Sequence, residues 1–393
     1  MTAHRLRTLA GNQRRLAAAL RALGPSTRAD LAAATGLSRA TVSATLGELA
    51  GTGLVVEPGA TAPAGPSGGR PASVVQLSPS AGIAAGVDIG RRHVHVAVSD
   101  LAHTVLAERG LTLDPSEEHS AAVMLDHAAH LVADVVADAG RTLDDVVGIG
   151  LGIPAPVVTS TGLLGASNIL PQWAGLRPAD EFIRRLRIPV SVENDANLGA
   201  LAVQLWGAGR HSRSLVYLKH ATGIGGGMVI DGRLFRGVSG TAGEIGHLSL
   251  DARGDVCRCG NRGCLELTGG GTALVEVLRR THPEVTTLAQ LVRCAIRGDA
   301  PCRRLVADAG THLGVALGGL VNLLNPDMIV VGGELGRAGD LLLDPLRHAL
   351  GRSAVPSAVE VVTVTTGTLG DRAEMLGAIA IVLREAERLT IPA

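Results

Sequence analysis

The stretch Cys257-Arg-Cys-Gly-Asn-Arg-Gly-Cys264-Leu-Glu266, with Glu244-Ile-Gly-His247 just upstream, constrains this chain more than any other part of it. Three thiols and one imidazole fall within eighteen positions. They make a full tetrahedral set for a structural Zn2+ held by His247, Cys257, Cys259 and Cys264. The interleaved glycines allow the tight turns that bring the thiols together. The plainer alternative is a few reduced cysteines in a Gly-rich loop beside a satisfied histidine. A loop closed on zinc also holds two acids rigidly, Glu244 and Glu266. The other two cysteines, Cys294 and Cys302, sit in helix-like sequence and read as core thiols.

Cysteines used in this way fit a reducing compartment, so a cytoplasmic protein is expected, nucleoid-associated when bound to DNA. The N-terminus has no apolar run of signal-peptide type, and no segment reads as a membrane span. At 393 residues the chain calls for more than one domain. Aromatic residues make up only 1%, so packing must rest on Ala, Val, Leu and Ile. Basic residues are nearly all Arg. Lys219 is the only lysine and reads first as a composition bias. The zero net charge hides an asymmetry: residues 1–50 hold seven Arg against Asp30 and Glu48. A basic end on a neutral chain suggests a polyanion partner for that end.

Residues 11–50 read as three short helices. Leu16, Leu20 and Leu23 give the first an apolar face. Gly24-Pro-Ser-Thr27 ends it, and Thr27 with Asp30 makes a capping box with Asp in place of Glu. Gly36-Leu37 turns the chain, and Ser38 caps the third helix. Val42, Leu46 and Leu49 face the core of a helix-turn-helix. The opposite face is small, with Ala40, Ser43, Ala44 and Gly47, and Ser38 and Arg39 lie at its N-terminal end. Such a face sits close in a major groove, with Arg39 in reach of a phosphate or a guanine edge. Leu54–Glu57 and Ala72–Leu77 read as the two strands of a wing, with Arg70 near its tip for phosphate or minor-groove contact. A small helical interaction module that never meets DNA is the alternative. Ser78-Pro-Ser80 marks the junction with the larger C-terminal region.

From residue 83 strands alternate with helices, which indicates an α/β architecture. Ile83–Val87, Val94–Ser99, Thr104–Leu111 and Val146–Leu151 read as strands, with a helix over 116–140. A second set comes later in the chain: Leu215–Lys219, Gly227–Ile230, then helices, then Met328–Val331 and Glu360–Thr365. The two halves share a plan that fits two lobes with a cleft near 193–197 and 244–266. Four Gly-rich or acidic turns fall at strand ends, where open α/β sheets place ligands. They are Asp88-Ile-Gly90, Glu193-Asn194-Asp195-Ala-Asn197, Thr222-Gly223-Ile-Gly225-Gly226-Gly227 and Val331-Gly-Gly333. The third is a candidate phosphate cradle. Asp195 suits a general base on a hydroxyl, or merely a helix N-cap.

These pieces in this order resemble the ROK family (repressor, open reading frame, kinase). The likeness runs from about residue 83 to the C-terminus. It rests on the Cys-x-Cys-Gly-x-x-Gly-Cys-x-Glu loop, the upstream Glu-Ile-Gly-His, the Glu-Asn-Asp-Ala-Asn and the Thr-Gly-Ile-Gly-Gly-Gly. The N-terminal part, closing on Gly-Gly-Arg-Pro, looks like the winged helix of the family's regulators. The resemblance implies an actin-like, ribonuclease-H-like fold of two lobes over 81–393, preceded by a winged helix-turn-helix over 1–80. It implies a hexose-type sugar contacted by Asn194, Asp195, Glu244, His247 and Glu266, with Asn168 a further candidate. Kinases of the family read Asp-x-Gly-Gly-Thr-Lys at the first phosphate loop. This chain reads Asp88-Ile-Gly90-Arg91-Arg92-His93. An Arg cannot reproduce a glycine's close backbone approach to nucleotide phosphates, which argues against use of ATP and Mg2+ at Asp88, Gly90, Thr222, Gly223, Gly225 and Gly226.

The expected function is therefore a sugar-responsive transcriptional regulator, most readily a repressor. It binds operator DNA as a homodimer or homotetramer and takes a sugar or sugar phosphate as effector, with no membrane partner. The alternative is an ATP-dependent hexose kinase with an appended DNA-binding domain, in which Asp195 takes the proton from the attacking hydroxyl.

Overall fold

The computed structural model describes residues 9–57, 73–91, 93–113, 120–165 and 170–384. The chain divides into two compact units. One comprises Met1–Ile153, Leu176–Glu193 and Ala378–Ala393; the other comprises Pro154–Gly175 and Asn194–Gly377. Among the described residues no helix is long and apolar enough to cross a membrane.

The first unit begins with α1 (Gly11–Leu23), β1 (Ser26–Thr27), α2 (Arg28–Thr35), α3 (Arg39–Gly51), β2 (Val55–Val56) and β3 (Val74–Leu77). Gly24, at φ 75°, ends α1. The Thr27–Asp30 capping box opens α2, Gly36 ends it in the left-handed region, and Ser38 caps α3 through the Thr41 N–H. Leu16, Leu20, Leu31, Val42, Leu46 and Leu49 fill the core between the helices. Leu23 was expected on that face but is 48% exposed, because it is the last residue of α1 and the turn at Gly24 ends the covered stripe. β3 pairs antiparallel with both β1 and β2, giving the order β1-β3-β2. Three helices on a small antiparallel sheet form a winged helix-turn-helix. The segment between the wing strands, with Arg70, lies outside the described residues, as do the arginines at 5 and 7.

The same unit continues with β4 (Ile83–Ile89), β5 (His93–Asp100), β6 (Val105–Thr112), α4 (Ala121–Asp138), β7 (Val146–Ile153), α5 (Pro178–Leu186) and β8 (Val190–Asn194). The sheet order is β6-β5-β4-β7-β8. β4 to β6 form an antiparallel meander and β7 runs parallel to β4. β4 and β7 are buried along their whole length, which is why they read as unbroken apolar runs. The edge strand β6 is largely half-buried or exposed. The β5–β6 turn carries His103 at φ 74°, and its Nε2 lies 2.7 Å from the Arg21 carbonyl oxygen in the last turn of α1. The ring rests on Gly24, where a Cβ would come within 3.0 Å of Nδ1.

The second unit carries α6 (Asp195–Trp206), β9 (Leu215–His220), β10 (Ile224–Ile230), β11 (Arg233–Leu234), α7 (Leu265–Gly269), α8 (Gly271–Leu278), α9 (Leu288–Ile296), α10 (Ala300–Leu324), β12 (Met328–Gly332), α11 (Gly333–Gly336), α12 (Asp340–Ser353), α13 (Pro356–Val359) and β13 (Thr363–Thr366). The last helix, α14 (Ala373–Arg384), begins here. The order β11-β10-β9-β12-β13 repeats that of the first sheet: meander reversed, then two more strands, with β12 parallel to β9. This duplicated plan is the actin-like, ribonuclease-H-like architecture expected from the sequence.

The helix expected over 116–140 spans Ala121–Asp138, with residues 116–119 outside the described residues, and two strand starts differ from expectation by three positions. β10 starts at Ile224, so Gly225 and Gly226 lie in a paired strand instead of a free loop. They are glycines because the strand is crowded: a Cβ at Gly226 would lie 2.7 Å from the Gly243 carbonyl oxygen, and one at Gly225 3.1 Å from the Ala196 methyl. The last strand starts at Thr363 because Pro356 opens the short helix α13 just before it.

The main core of this unit lies between the sheet and the α9–α10–α12 layer. Gly310, Gly314 and Gly318 make one face of α10, against which α12 lies almost backbone to backbone. A Cβ at Gly314 would fall 2.3 Å from the Leu346 carbonyl oxygen, whereas one at Gly319 meets nothing within 4 Å. Gly314→Ala should therefore lower stability by about 1–3 kcal/mol through overpacking. Gly319→Ala should raise it by up to about 1 kcal/mol through helix propensity. Urea unfolding of both variants checks the opposite signs.

Candidate functional site

β8 ends at Asn194, which caps α6: Oδ1 accepts the N–H groups of Ala196 (3.0 Å) and Asn197 (3.3 Å), and Nδ2 faces the Ala155 carbonyl at 3.4 Å. The cap role weighed for Asp195 thus belongs to its neighbour. Asp195 is 8% exposed and faces Lys219, whose Nζ donates to Oδ2 at 2.8 Å. Nζ also lies 3.6 Å from Glu374 Oε1, which accepts the Tyr217 hydroxyl at 3.2 Å. Tyr217 and Lys219, the chain's only tyrosine and only lysine, are two apart on β9 and so share a face. Sequence reading passed over Lys219. Its rarity was the signal available.

The cysteine loop closes through its own backbone. Cys257 N–H donates to the Asn261 carbonyl at 2.7 Å, Leu250 to Gly263 at 2.8 Å, and Leu265 to Leu248 at 2.9 Å. Gly263, at φ 59°, leaves no room for a side chain, since a Cβ would lie 1.8 Å from the Asp251 carbonyl oxygen. The result brings His247, Cys257, Cys259 and Cys264 together with their ligand atoms all within 4.8 Å of one another. Cys257 Sγ is 3.6 Å from His247 Nδ1, and Cys259 Sγ is 3.6 Å from Cys264 Sγ. A tetrahedral ion with bonds of roughly 2.0–2.3 Å spaces its ligand atoms by about 3.5–3.8 Å, so these residues fit a metal ion. Burial and the neighbouring thiols push Cys264 up to about 12; a coordinated divalent ion reverses that by taking the thiolate. Cys302 is fully buried in the core and Cys294 packs half-buried against it, as read from the sequence.

His247 spans the loop and the acids. Its Nδ1 faces sulfur, and its Nε2 lies 4.0 Å from Glu244 Oε2. Glu266 sits in the first turn of α7, directly after Cys264. Its Oε1 pairs with Arg258 at 2.6 Å and its Oε2 accepts the Ile224 N–H at 3.3 Å. Glu244 is raised above the usual carboxylate range by desolvation, opposed by His247 and aided by Asp195 and Glu266. Asp195, Glu244, His247 and Glu266 therefore occupy one cup, with Asn194 at its edge. Asn168 lies outside the described residues.

His220 positions this cup and was not singled out in the sequence. It is fully buried, and its Nε2–H donates at 2.7 Å to the carbonyl of Gly269, the last residue of α7. Burial holds its pKa down at about 4. The unfolded chain therefore takes up this proton first, so the group removes stability as pH falls from about 6.5 to about 4. The loss is of the order of 3 kcal/mol. His220→Gln should flatten the pH dependence of stability in that window relative to the parent, as read by thermal unfolding across pH. An unchanged slope would remove His220 from this role.

The turns proposed for phosphate look different. In the first unit the His93 ring covers Gly90, where a Cβ would lie 2.0 Å from Cε1, and its Nε2 is 2.9 Å from Asp88 Oδ2. In the second unit Thr222 and Gly223 form the turn before β10, and a Cβ at Gly223 would lie 2.7 Å from Glu266 Oε2. A cavity of about 180 Å³ is lined by Tyr217, Gly332, Gly333, Arg337 and Gly367 among others. It is smaller than the roughly 300–1,000 Å³ usual for small-molecule sites.

In the winged helix Ser38, Arg39, Ala40, Ser43 and Ala44 are all exposed on α3. The basic surplus is only partly free. Arg15 donates to the Thr35 carbonyl, and Arg28 bridges Glu57 and Ser73 at the base of the wing. Arg39 stands clear at the helix start.

Comparison with known proteins agrees with this layout. The xylose repressor of Caldicellulosiruptor bescii is 30% identical over 89% of this chain and 89% of its own length. The crystal structure of a ROK family transcriptional regulator, a homolog of the E. coli MLC protein, superposes with a TM-score of 0.77. It covers 96% of this chain and 97% of its own at 24% identity, so it speaks for the fold alone. A ROK family glucokinase from Streptomyces griseus, solved with glucose and AMPPNP, superposes with a TM-score of 0.67. It is 27% identical and covers 76% of this chain and 99% of its own. The sequence profile of the ROK family matches residues 84–385, and the chain belongs to that family.

Proposed function

We propose that this protein is a sugar-responsive DNA-binding repressor, with residues 1–80 as the winged helix and 81–393 as the sugar-sensing body. The observation that carries this reading is the likeness to a xylose repressor over 89% of this chain and 89% of that one. The exposed small face of α3 suits the major groove, with Ser38, Arg39, Ala40, Ser43 and Ala44 toward DNA and Arg70 of the wing joining them. Asn194, Asp195, Glu244, His247 and Glu266 bind the hydroxyls of a sugar or sugar phosphate, because carboxylates and amides match paired donors and acceptors; Asn168 is a further contact. His247, Cys257, Cys259 and Cys264 would hold Zn2+, which would brace the His247 ring and the start of α7, and so the position of Glu266.

A ligand that binds one conformation of the chain better than another changes operator affinity. A coupling of about 1–3 kcal/mol is enough for a regulatory response. The protein acts in the cytoplasm as a homodimer or homotetramer on a palindromic operator, the symmetry such winged helices commonly use.

Phosphoryl transfer is the second reading, favoured by the glucokinase likeness and by Asp195 itself. Two observations weigh against it. His93 covers the glycine that a phosphate would approach, and Lys219 already holds the carboxylate that would take the hydroxyl's proton.

Arg39→Ala should weaken binding to the protein's own upstream region while leaving sugar binding intact. Glu266→Gln should blunt the sugar response while DNA binding persists. Footprinting with and without a sugar panel reads both; a normal footprint for the first and an unaltered dose response for the second would count against the assignment. Cys259→Ser should release the metal and lower the melting temperature, and metal analysis showing unchanged zinc would refute the ligand set.

A further inference from the structure

The antiparallel register of β4 and β5 places His95 directly opposite Asp88. His93, two residues earlier on β5, shares that face. The two imidazoles stack with centroids 4.5 Å apart and planes 24° apart. One ligand atom from each of Asp88, His93 and His95 can be chosen so that all lie within 4.8 Å of one another. Asp88 Oδ2 and His93 Nε2 are already 2.9 Å apart. A tetrahedral ion with bonds of roughly 2.0–2.1 Å sets its ligand atoms about 3.3–3.4 Å apart, within about half an ångström of that spacing.

Both rings rest on glycines. A Cβ at Gly90 would lie 2.0 Å from His93, and one at Gly110, which pairs with His95 on β6, would lie 2.7 Å from His95 Cδ2. Backbone space has thus been cleared for each ring separately. A single histidine is enough to hydrogen-bond a buried carboxylate. Here two imidazoles converge on one carboxylate and together make a three-donor set. Convergent imidazole and carboxylate donors match a borderline divalent ion.

We propose that Asp88, His93 and His95 form a second divalent-metal site, distinct from the cysteine loop, that takes a transition ion such as zinc through one carboxylate oxygen and two imidazoles. Asp88 is almost wholly buried and His93 is about one-third exposed, so the ion is anchored from beneath and reached from the His93 side. Three protein ligands leave a coordination position open for water or a small anion. Asp88, His93 and His95 share no residue with the sugar cup.

The test loads chelator-stripped full-length protein with Co2+ and reads both bound metal per chain and the visible spectrum. Sulfur ligation gives intense thiolate-to-cobalt charge transfer, whereas an oxygen–nitrogen site gives only weaker ligand-field bands. The wild type should take up two ions per chain, one of which adds no sulfur charge transfer. His93→Asn and His95→Asn should each lose that ion and keep the thiolate bands, and Cys259→Ser should do the reverse. Gly110→Val keeps all three ligands but displaces the His95 ring, and should also lose the ion. Cobalt bound only with sulfur charge transfer in the wild type would overturn the proposal, as would unchanged metal content in both histidine variants. The wild-type metal count decides the matter even if a variant fails to fold: two ions per chain support the site, and one ion with sulfur charge transfer overturns it.

Discussion

Gathering carboxylates into one cup is the constraint around which the second unit is organised. Asp195, Glu244 and Glu266 repel one another, and Glu374 adds a further carboxylate on Lys219; all but Glu244, which is 45% exposed, are largely buried, which strengthens the repulsion. The chain answers with two cations placed from different elements: Lys219 from β9 between Asp195 and Glu374, and Arg258 from the cysteine loop on Glu266. Removing Lys219 leaves buried charge uncompensated, at a cost of about 3–5 kcal/mol; Arg258 is 39% exposed, so solvent screening makes its pair worth less. The acids are thus held by fixed partners, two cations among four carboxylates. That suits recognition of hydroxyl groups better than proton abstraction, because the carboxylate placed to act as a base is engaged at both oxygens: Lys219 at Oδ2 and the Ala196 N–H at Oδ1.

The scaffold around the cup depends on close backbone approach, a natural consequence of a chain with almost no aromatic residues. Gly226 and Gly227 let β10 lie against Gly243 and α6, and Gly310, Gly314 and Gly318 let α12 lie against α10. His220 ties the end of β9 to the end of α7, and the cysteine loop fixes the start of that helix. Glu266 is thus held from both ends of a five-residue helix. In the first unit His103 contacts the last turn of α1, so the meander and the winged helix share a hydrogen bond. A route by which strain in the body reaches the winged helix needs such a contact.

The sequence was most readable where the determinants are local. The Thr27–Asp30 box, the Ser38 cap, the turn at Gly36 and the cysteine spacing are all set within a few residues, and each stands where it was expected. The duplicated strand plan was also legible, because buried strands read as apolar runs. What escaped notice was long-range. Lys219 was put down to composition, yet it sits 24 positions from its partner Asp195. His220 makes its bond 49 positions away. The glycines at 225 and 226 read as a loop because their reason for being small lies in Gly243, Ile245 and Ala196, which only the fold brings near. Asn194 and Asp195 are adjacent, and spacing alone could not say which of them caps the helix.

Calorimetry against a panel of hexoses and hexose phosphates, run beside ATP turnover on the same preparation, separates a sugar sensor from a kinase. A sensor gives measurable binding of one sugar class, loss of that heat in Asp195→Asn, and no nucleotide consumption with any sugar. Brisk turnover that Asp195→Asn abolishes would contradict the sensor reading.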